Sequence, residues 1–154
     1  MDKRKFFSRF YIVLFTCLLV LPCYAKDVNC AVWISYGKSN GLLFFYDAEN
    51  MSFLRHNINR VWIASIPESE EDRVRHIQNE RNAGLAMPEN WGFLTALYEI
   101  NCKNKTFTLL ESADYNIKDE LIGTHTVKEP SPTHIAPETM MEELYKNVCR
   151  KKDL

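Results

Sequence analysis

The sequence predicts an α+β domain: an antiparallel sheet of hairpins and meander strands, with a C-terminal helix packed on one face. Three observations carry this. Short apolar and aromatic runs follow one another through turn-forming residues over the first third of the exported chain, with no helical pattern between them. Tyr98, Ile100 and Cys102 fall on one side of an extended run and Glu99 and Asn101 on the other; after a polar break at Lys103-Asn104, Lys105 to Glu111 completes a hairpin. From Thr139 onward the apolar period changes to that of an amphipathic helix.

Residues 1–25 read as a signal peptide. Lys3, Arg4, Lys5 and Arg9 form a basic head, Phe10 to Leu21 an apolar stretch, and Pro22-Cys23-Tyr24-Ala25 places small residues where a signal peptidase reads. The apolar stretch is shorter than the roughly 20 residues of a bilayer-spanning helix, so no stable transmembrane segment is expected after cleavage. Cys23 is a candidate for lipid attachment, but the residue before it is the rigid Pro22 rather than a small one, which favours plain cleavage. Residues 26–154 then form a single domain of 129 residues. Asp2 and the four basic residues leave with the signal, so 19 acidic side chains face 15 basic ones and the net charge is −4. That balance offers no basic face for nucleic acid.

Export also fixes the meaning of the cysteines. Cys17 and Cys23 depart, and Cys30, Cys102 and Cys149 remain. In an oxidising compartment two of these three are expected to pair. No two have the close spacing of a zinc knuckle or a redox Cys-x-x-Cys pair.

Along the chain, Ala31 to Tyr36 alternates as a strand, and Gly37-Lys38-Ser39-Asn40-Gly41 is turn chemistry with two glycines available for positive φ. Leu42-Leu43-Phe44-Phe45-Tyr46 is a continuous apolar strand, stopped by Asp47 to Asn50, and Met51 to Arg55 is a shorter extended piece. Val61 to Ile66 is rich in β-branched and aromatic residues and ends at Pro67. The stretch 67–90 is a polar excursion. Ser69 with Asp72 resembles a helix start and Gly84 a stop, yet only Val74 and Ile77 lie at helical spacing, which predicts a short exposed helix or a mobile excursion with His76 solvated. Trp91 to Cys102 returns to strand. Tyr115 to Ile117 and Leu121 to Val127 are further extended segments, and Pro130-Ser131-Pro132 is a stiff connector.

The final helix has the clearest local signals. Thr139-Met140-Met141-Glu142 is a capping box, in which Glu142 is expected to reach back to the threonine's own N–H. Met141, Leu144, Tyr145 and Val148 make one apolar stripe, with Cys149 on its flank. A helix of this length is marginal alone, so the stripe must dock on the sheet. Docking brings Cys149 to the sheet face, where a disulfide to Cys102 is sterically reasonable, and leaves Cys30 as the free thiol.

Together these residues resemble the surface-adhesin protein E family of exported bacterial proteins. The resemblance rests on Trp33, the turn and strand leading to Tyr46-Asp47, Val61-Trp62, Tyr98-x-Ile100-x-Cys102, Ile135-x-Pro137-x-Thr139-x-x-Glu142-x-Leu144 and Val148-Cys149. It implies a six-stranded antiparallel sheet with the helix on one face, and adhesion to host extracellular proteins.

Catalysis is not expected. His56, His76, His125 and His134 include no pair spaced as zinc ligands on one helix face, and no nucleophile motif surrounds Cys30. Glu142 and Glu143 are adjacent and point in different directions, and no glycine-rich phosphate loop occurs, so no cofactor or metal is implied. The aromatic run Phe44, Phe45 and Tyr46 is the candidate partner-binding element, because a strand covered on one side points one of Phe44 and Phe45 away from the helix. The expected function is an exported, non-enzymatic binding module for a host extracellular or envelope protein, periplasmic or at the cell surface. A periplasmic structural or inhibitory subunit is the alternative, and an enzyme using Cys30 or a histidine a more distant one. Intact-mass measurement of the exported protein is expected to show a chain starting at Lys26; a diacylated chain starting at Cys23 would refute plain cleavage.

Overall fold

A computed structural model describes residues 31–54 and 57–149; the leader, Cys23, Cys30 and His56 lie outside the described residues. The alternating runs form β1 (Trp33–Ser39), β2 (Leu42–Asp47), β3 (Ser52–Phe53), β4 (Ile58–Pro67), β5 (Trp91–Asn101), β6 (Thr106–Asn116), β7 (Leu121–Thr126) and β8 (Thr133–His134). Six of them make one antiparallel sheet in the order β1-β2-β4-β5-β6-β7, while the two-residue strands β3 and β8 pair with β4 and β6. Two helices, α1 (Glu70–Asn82) and α2 (Met140–Cys149), complete the domain. The expected α+β fold, with six principal strands and a C-terminal helix, is what the chain adopts.

Turn chemistry sets the first hairpin. Ser39 pairs with Leu42, so Asn40 and Gly41 form a two-residue loop, and both have positive φ (51° and 76°) as the twist of the flanking strands requires. Gly37 has a different reason to be glycine. It follows a register shift in β1 and does not take positive φ; a Cβ there would lie 2.2 Å from Cε of Met140, so its bare Cα lets the start of α2 approach the strand. Farther on, the two segments expected around Leu110 and Tyr115 are one strand, β6. Leu110 is the extra residue of a bulge opposite Leu97 and Tyr98, and it reverses the local alternation that separated them in the sequence.

The core lies between the sheet and α2. Tyr46, Val61, Ile63, Ala96 and Ile100 come from the strands, Leu144 and Val148 from the helix, and Ile135 from the segment before it. Leu144 and Val148 are fully buried, with Met141 and Tyr145 packed beside them, as the stripe predicts. Each buried aliphatic side chain contributes on the order of 2 kcal/mol, so the helix is held mainly by this face.

The two ends of α2 are secured separately. At the N-terminal end, Thr139 Oγ1 accepts from the Glu142 N–H at 3.3 Å and donates to the Ala136 carbonyl at 2.8 Å. The reciprocal half of the capping box shifts by one residue: Glu142 accepts from the Glu138 N–H at 2.9 Å, because Glu138 takes a left-handed conformation (φ 60°). That backbone bond, followed by Lys146, holds the Glu142 carboxyl below the usual carboxylate range.

At the C-terminal end Cys149 is disulfide-bonded to Cys102, with Cα atoms 5.6 Å apart. The Tyr145 hydroxyl donates to the Cys102 carbonyl at 3.0 Å. Asn59, with no exposed surface, donates Nδ2 to the Val148 carbonyl at 3.1 Å and lies 3.4 Å from the Cys102 sulfur. A side chain on the central strand β4 thus occupies a carbonyl in the last turn that has no partner within the helix.

The polar excursion is better ordered than its composition suggests. Ser69 caps α1 by accepting from the Asp72 N–H, and Glu70, Glu71 and Asp72 occupy the first turn. Ile77 is buried. Most of the attachment is polar: Arg73 donates to the carbonyls of Glu89 and Trp91 at 2.5 and 3.0 Å, and Arg81 donates to that of Met87 at 2.8 Å. These guanidinium-to-backbone bonds fasten the returning loop to the helix. Of the two expectations, an exposed helix or a mobile excursion, the helix is what forms: 13 residues, mostly exposed, docked through Ile77 and the two arginines.

Closing a loop of this span, a sequence separation of 47 between the cysteines, stabilises the fold by about 4 kcal/mol in the chain-entropy model. Cys102→Ala is expected to lower unfolding free energy in urea by about 2–5 kcal/mol. Wild-type protein measured in reductant should fall to nearly the same value, and no effect in either case would mean that the bond carries no stability.

Candidate functional site

The register assigns the two faces of the sheet. Leu42, Phe44 and Tyr46 alternate onto the face that carries α2, and Leu43 and Phe45 onto the other. The proposed partner-binding run is thereby divided. Tyr46 is 2 % exposed and belongs to the core, so its side chain offers a partner no surface. Phe44 is half-buried beside the Tyr36 ring at 6.0 Å. Phe45 is the one that points away from the helix.

Across that second face Phe45 pairs with Ala64, Ala64 with Thr95, and Thr95 with Ala113, a row of small residues beginning at an aromatic one. Trp62 and Leu97 pair directly on one side of this row. On the other side the rings of Phe93 and Tyr115 stack at 4.7 Å and 5°. Large side chains shelter the small ones: Ala64 and Ala113 are buried while Phe45, Trp62, Phe93, Leu97 and Tyr115 are half-buried, and Ile66 is exposed. The ion pair Arg60–Glu99, 2.5 Å, borders the patch. None of these residues belongs to the core beneath α2. The face is apolar and aromatic, and no helix among the described residues packs on it.

A concave feature lies on the helical face. A cleft of about 640 Å³ runs between the tip of the β1–β2 hairpin and α1, with Leu42, Phe44 and Met140 along its apolar side and Arg75, His76, Asn79 and Glu80 of α1 along the other. The Gly41 backbone sits against the Asp72–Arg75 ion pair, where a Cβ would lie 2.2 Å from Asp72 Oδ1. His76, expected to be solvated, stacks on Trp91 with ring centres 4.7 Å apart and Nδ1 4.0 Å from Glu80. Trp91, fully buried, donates to Asp114 at 2.8 Å, which ties the wall of the cleft to the sheet.

Other titratable groups are dispersed. His125 and His134 are exposed on separate strands. Among the described residues no three of His, Cys, Asp and Glu are grouped to hold a metal ion, and no helix is long and apolar enough to cross a membrane. Burial, reinforced by Tyr98, pushes the Tyr36 phenol far above its ordinary value, and burial also raises Tyr98, so both remain protonated near neutral pH.

One antiparallel sheet thus carries a disulfide-anchored C-terminal helix on one face and, among the described residues, half-buried aromatics on the other. The sequence profile of surface-adhesin protein E matches residues 33–150, and the chain belongs to this adhesin family. Three solved structures of Haemophilus influenzae protein E are similar in outline. The first, a second crystal form, is 14% identical and covers 79% of this chain and 98% of its own, with a TM-score of 0.47. One from a non-typeable strain is 15% identical over 81% of this chain and 79% of its own at 0.47, and a third is 14% identical over 82% and 89% at 0.49. No curated protein matches the sequence.

The cleft's fixed edge yields a prediction. Gly41→Ala combines a side chain at φ 76° with a collision on the Asp72–Arg75 pair, whereas Gly84→Ala, at φ 91°, meets nothing within 4 Å. Thermal denaturation is expected to show Gly41→Ala as the more destabilising, since backbone strain of about 1–3 kcal/mol is common to both and the contact is not. Equal losses would mean that the hairpin tip yields freely.

Proposed function

We propose that the mature chain, residues 26–154, is an exported, non-enzymatic protein-binding module of adhesin type that engages its partner through the sheet face opposite α2. The carrying observation is the aromatic patch of Phe45, Trp62, Phe93 and Tyr115, which no element among the described residues covers. Aromatic side chains flanked by an ion pair are the usual anchors of protein interfaces. Membership of the adhesin family supports a surface protein, and the leader supports export. The partner is a host extracellular protein or an envelope component. The second reading, a periplasmic structural or inhibitory subunit, uses the same face and differs only in what it meets there.

Immobilised mature protein, offered host matrix proteins and envelope extract in parallel, separates the two. Retention of a matrix protein supports adhesion, and retention of an envelope protein alone supports the subunit. In either case Trp62→Ala and Phe45→Ala are expected to weaken binding about thirtyfold, the loss of a hot-spot side chain. Binding that survives both substitutions would exclude this face.

A further inference from the structure

We propose that the cleft between the β1–β2 hairpin and α1 is a second binding site, built for a neutral saccharide unit. Its volume, about 640 Å³, falls within the range of small-ligand sites. Three elements fix its walls before any ligand arrives: Gly41 against the Asp72–Arg75 pair, Gly37 against Met140, and His76 against Trp91.

The chemistry of the lining selects the ligand class. Arg75 is already paired with Asp72, and the Glu80 carboxylate stands on the same wall, 4.0 Å from the His76 ring. An anion would meet Glu80 and a cation would meet Arg75; neither is favoured. What remains are idle hydrogen-bonding groups of both kinds. The Asn79 amide and the Ser39 hydroxyl have no side-chain partner among the described residues, while Glu80 offers acceptor oxygens and Arg75 has N–H groups beyond the one given to Asp72. Opposite them lies the apolar side, with Phe44 and Met140. A sugar ring has this same division, hydroxyls that donate and accept around its rim and a C–H face that packs on aromatic and apolar surface. The site faces away from the proposed protein-binding patch, so the two can be occupied together.

Methyl glycosides of galactose, mannose and N-acetylglucosamine, titrated into isotope-labelled mature protein, test the assignment. At least one is expected to produce saturable amide shifts confined to residues 39–41 and 75–80. Asn79→Ala should weaken that binding about fivefold, the effect of one neutral hydrogen bond, and Asn79→Trp should abolish it by filling the cleft. Because Asn79 is exposed, both variants should retain a dispersed spectrum. A glycopeptide ending in the sugar that binds distinguishes a glycan terminus, which should bind at least as well, from a free sugar, which alone would bind if the linkage is excluded. The proposal falls if no glycoside shifts these residues well beyond a concentration on the order of 1 mM. It falls equally if Asn79→Trp leaves binding intact, or if acetate shifts the same amides at lower concentration. Trp62→Ala should not alter sugar binding, nor Asn79→Trp alter protein capture, so the failure of one site is visible apart from the other.

Discussion

The attachment of the C-terminal helix to the middle of the sheet is the constraint on which this domain depends. A sheet needs something over its apolar face, and here one ten-residue helix supplies most of the cover. So short a helix has little stability of its own. The disulfide from Cys149 to Cys102, the Asn59 amide on the Val148 carbonyl and the Tyr145 hydroxyl on the Cys102 carbonyl all act at its last turn. At the first turn Thr139 and Glu142 satisfy backbone donors, and Gly37 clears space for Met140. Between these fixed ends the apolar stripe has only one way to settle.

With the helix fixed, the sheet acquires two unlike sides. One holds the core and, where α1 joins the covering layer, a polar-walled cleft. The other is a largely apolar surface across the central strands, where among the described residues the large side chains shelter the small ones. The polar attachment of α1 matters to this division. Arg73 and Arg81 bind backbone carbonyls of the returning loop instead of burying a broad apolar stripe, so the helix can stand beside the sheet and leave a gap. A fully amphipathic helix at the same place would have packed down and closed it.

The sequence disclosed the parts that have periodic or chemical signatures. Alternation located the principal strands, and Thr139 with the stripe through Val148 the helix and hence the cysteine pair; the five-residue turn read over Gly37 to Gly41 contracts to Asn40-Gly41, because Gly37 to Ser39 continue β1. It was silent where the deciding contact is made by an unlike partner far along the chain. Nothing local to Gly37 announces Met140, and nothing local to His76 announces Trp91. The docking of α1 escaped notice because an arginine on a carbonyl leaves no apolar pattern. In Leu42 to Tyr46 every residue is apolar, so alternation could not say which faced the core; only pairing to β4 assigns Tyr46 inward and Phe45 outward. Leu110 shows the reverse difficulty, a bulge that made one strand resemble two.

The pairing of Gly37 with Met140 has a kinetic consequence. These contacting residues stand about a hundred positions apart, whereas β1, at the edge of the sheet, pairs with β2, its neighbour in sequence. Closure of such distant segments slows folding, because chain entropy must be lost before the contact repays it. During synthesis or passage across a membrane, β1 to β5 can pair while the helix that covers them has yet to emerge. Until then both faces of the young sheet are open to water and to other chains, a state prone to association. The last segment to arrive is the one that ends that exposure, and oxidation of Cys102 with Cys149 then makes the arrival hard to reverse.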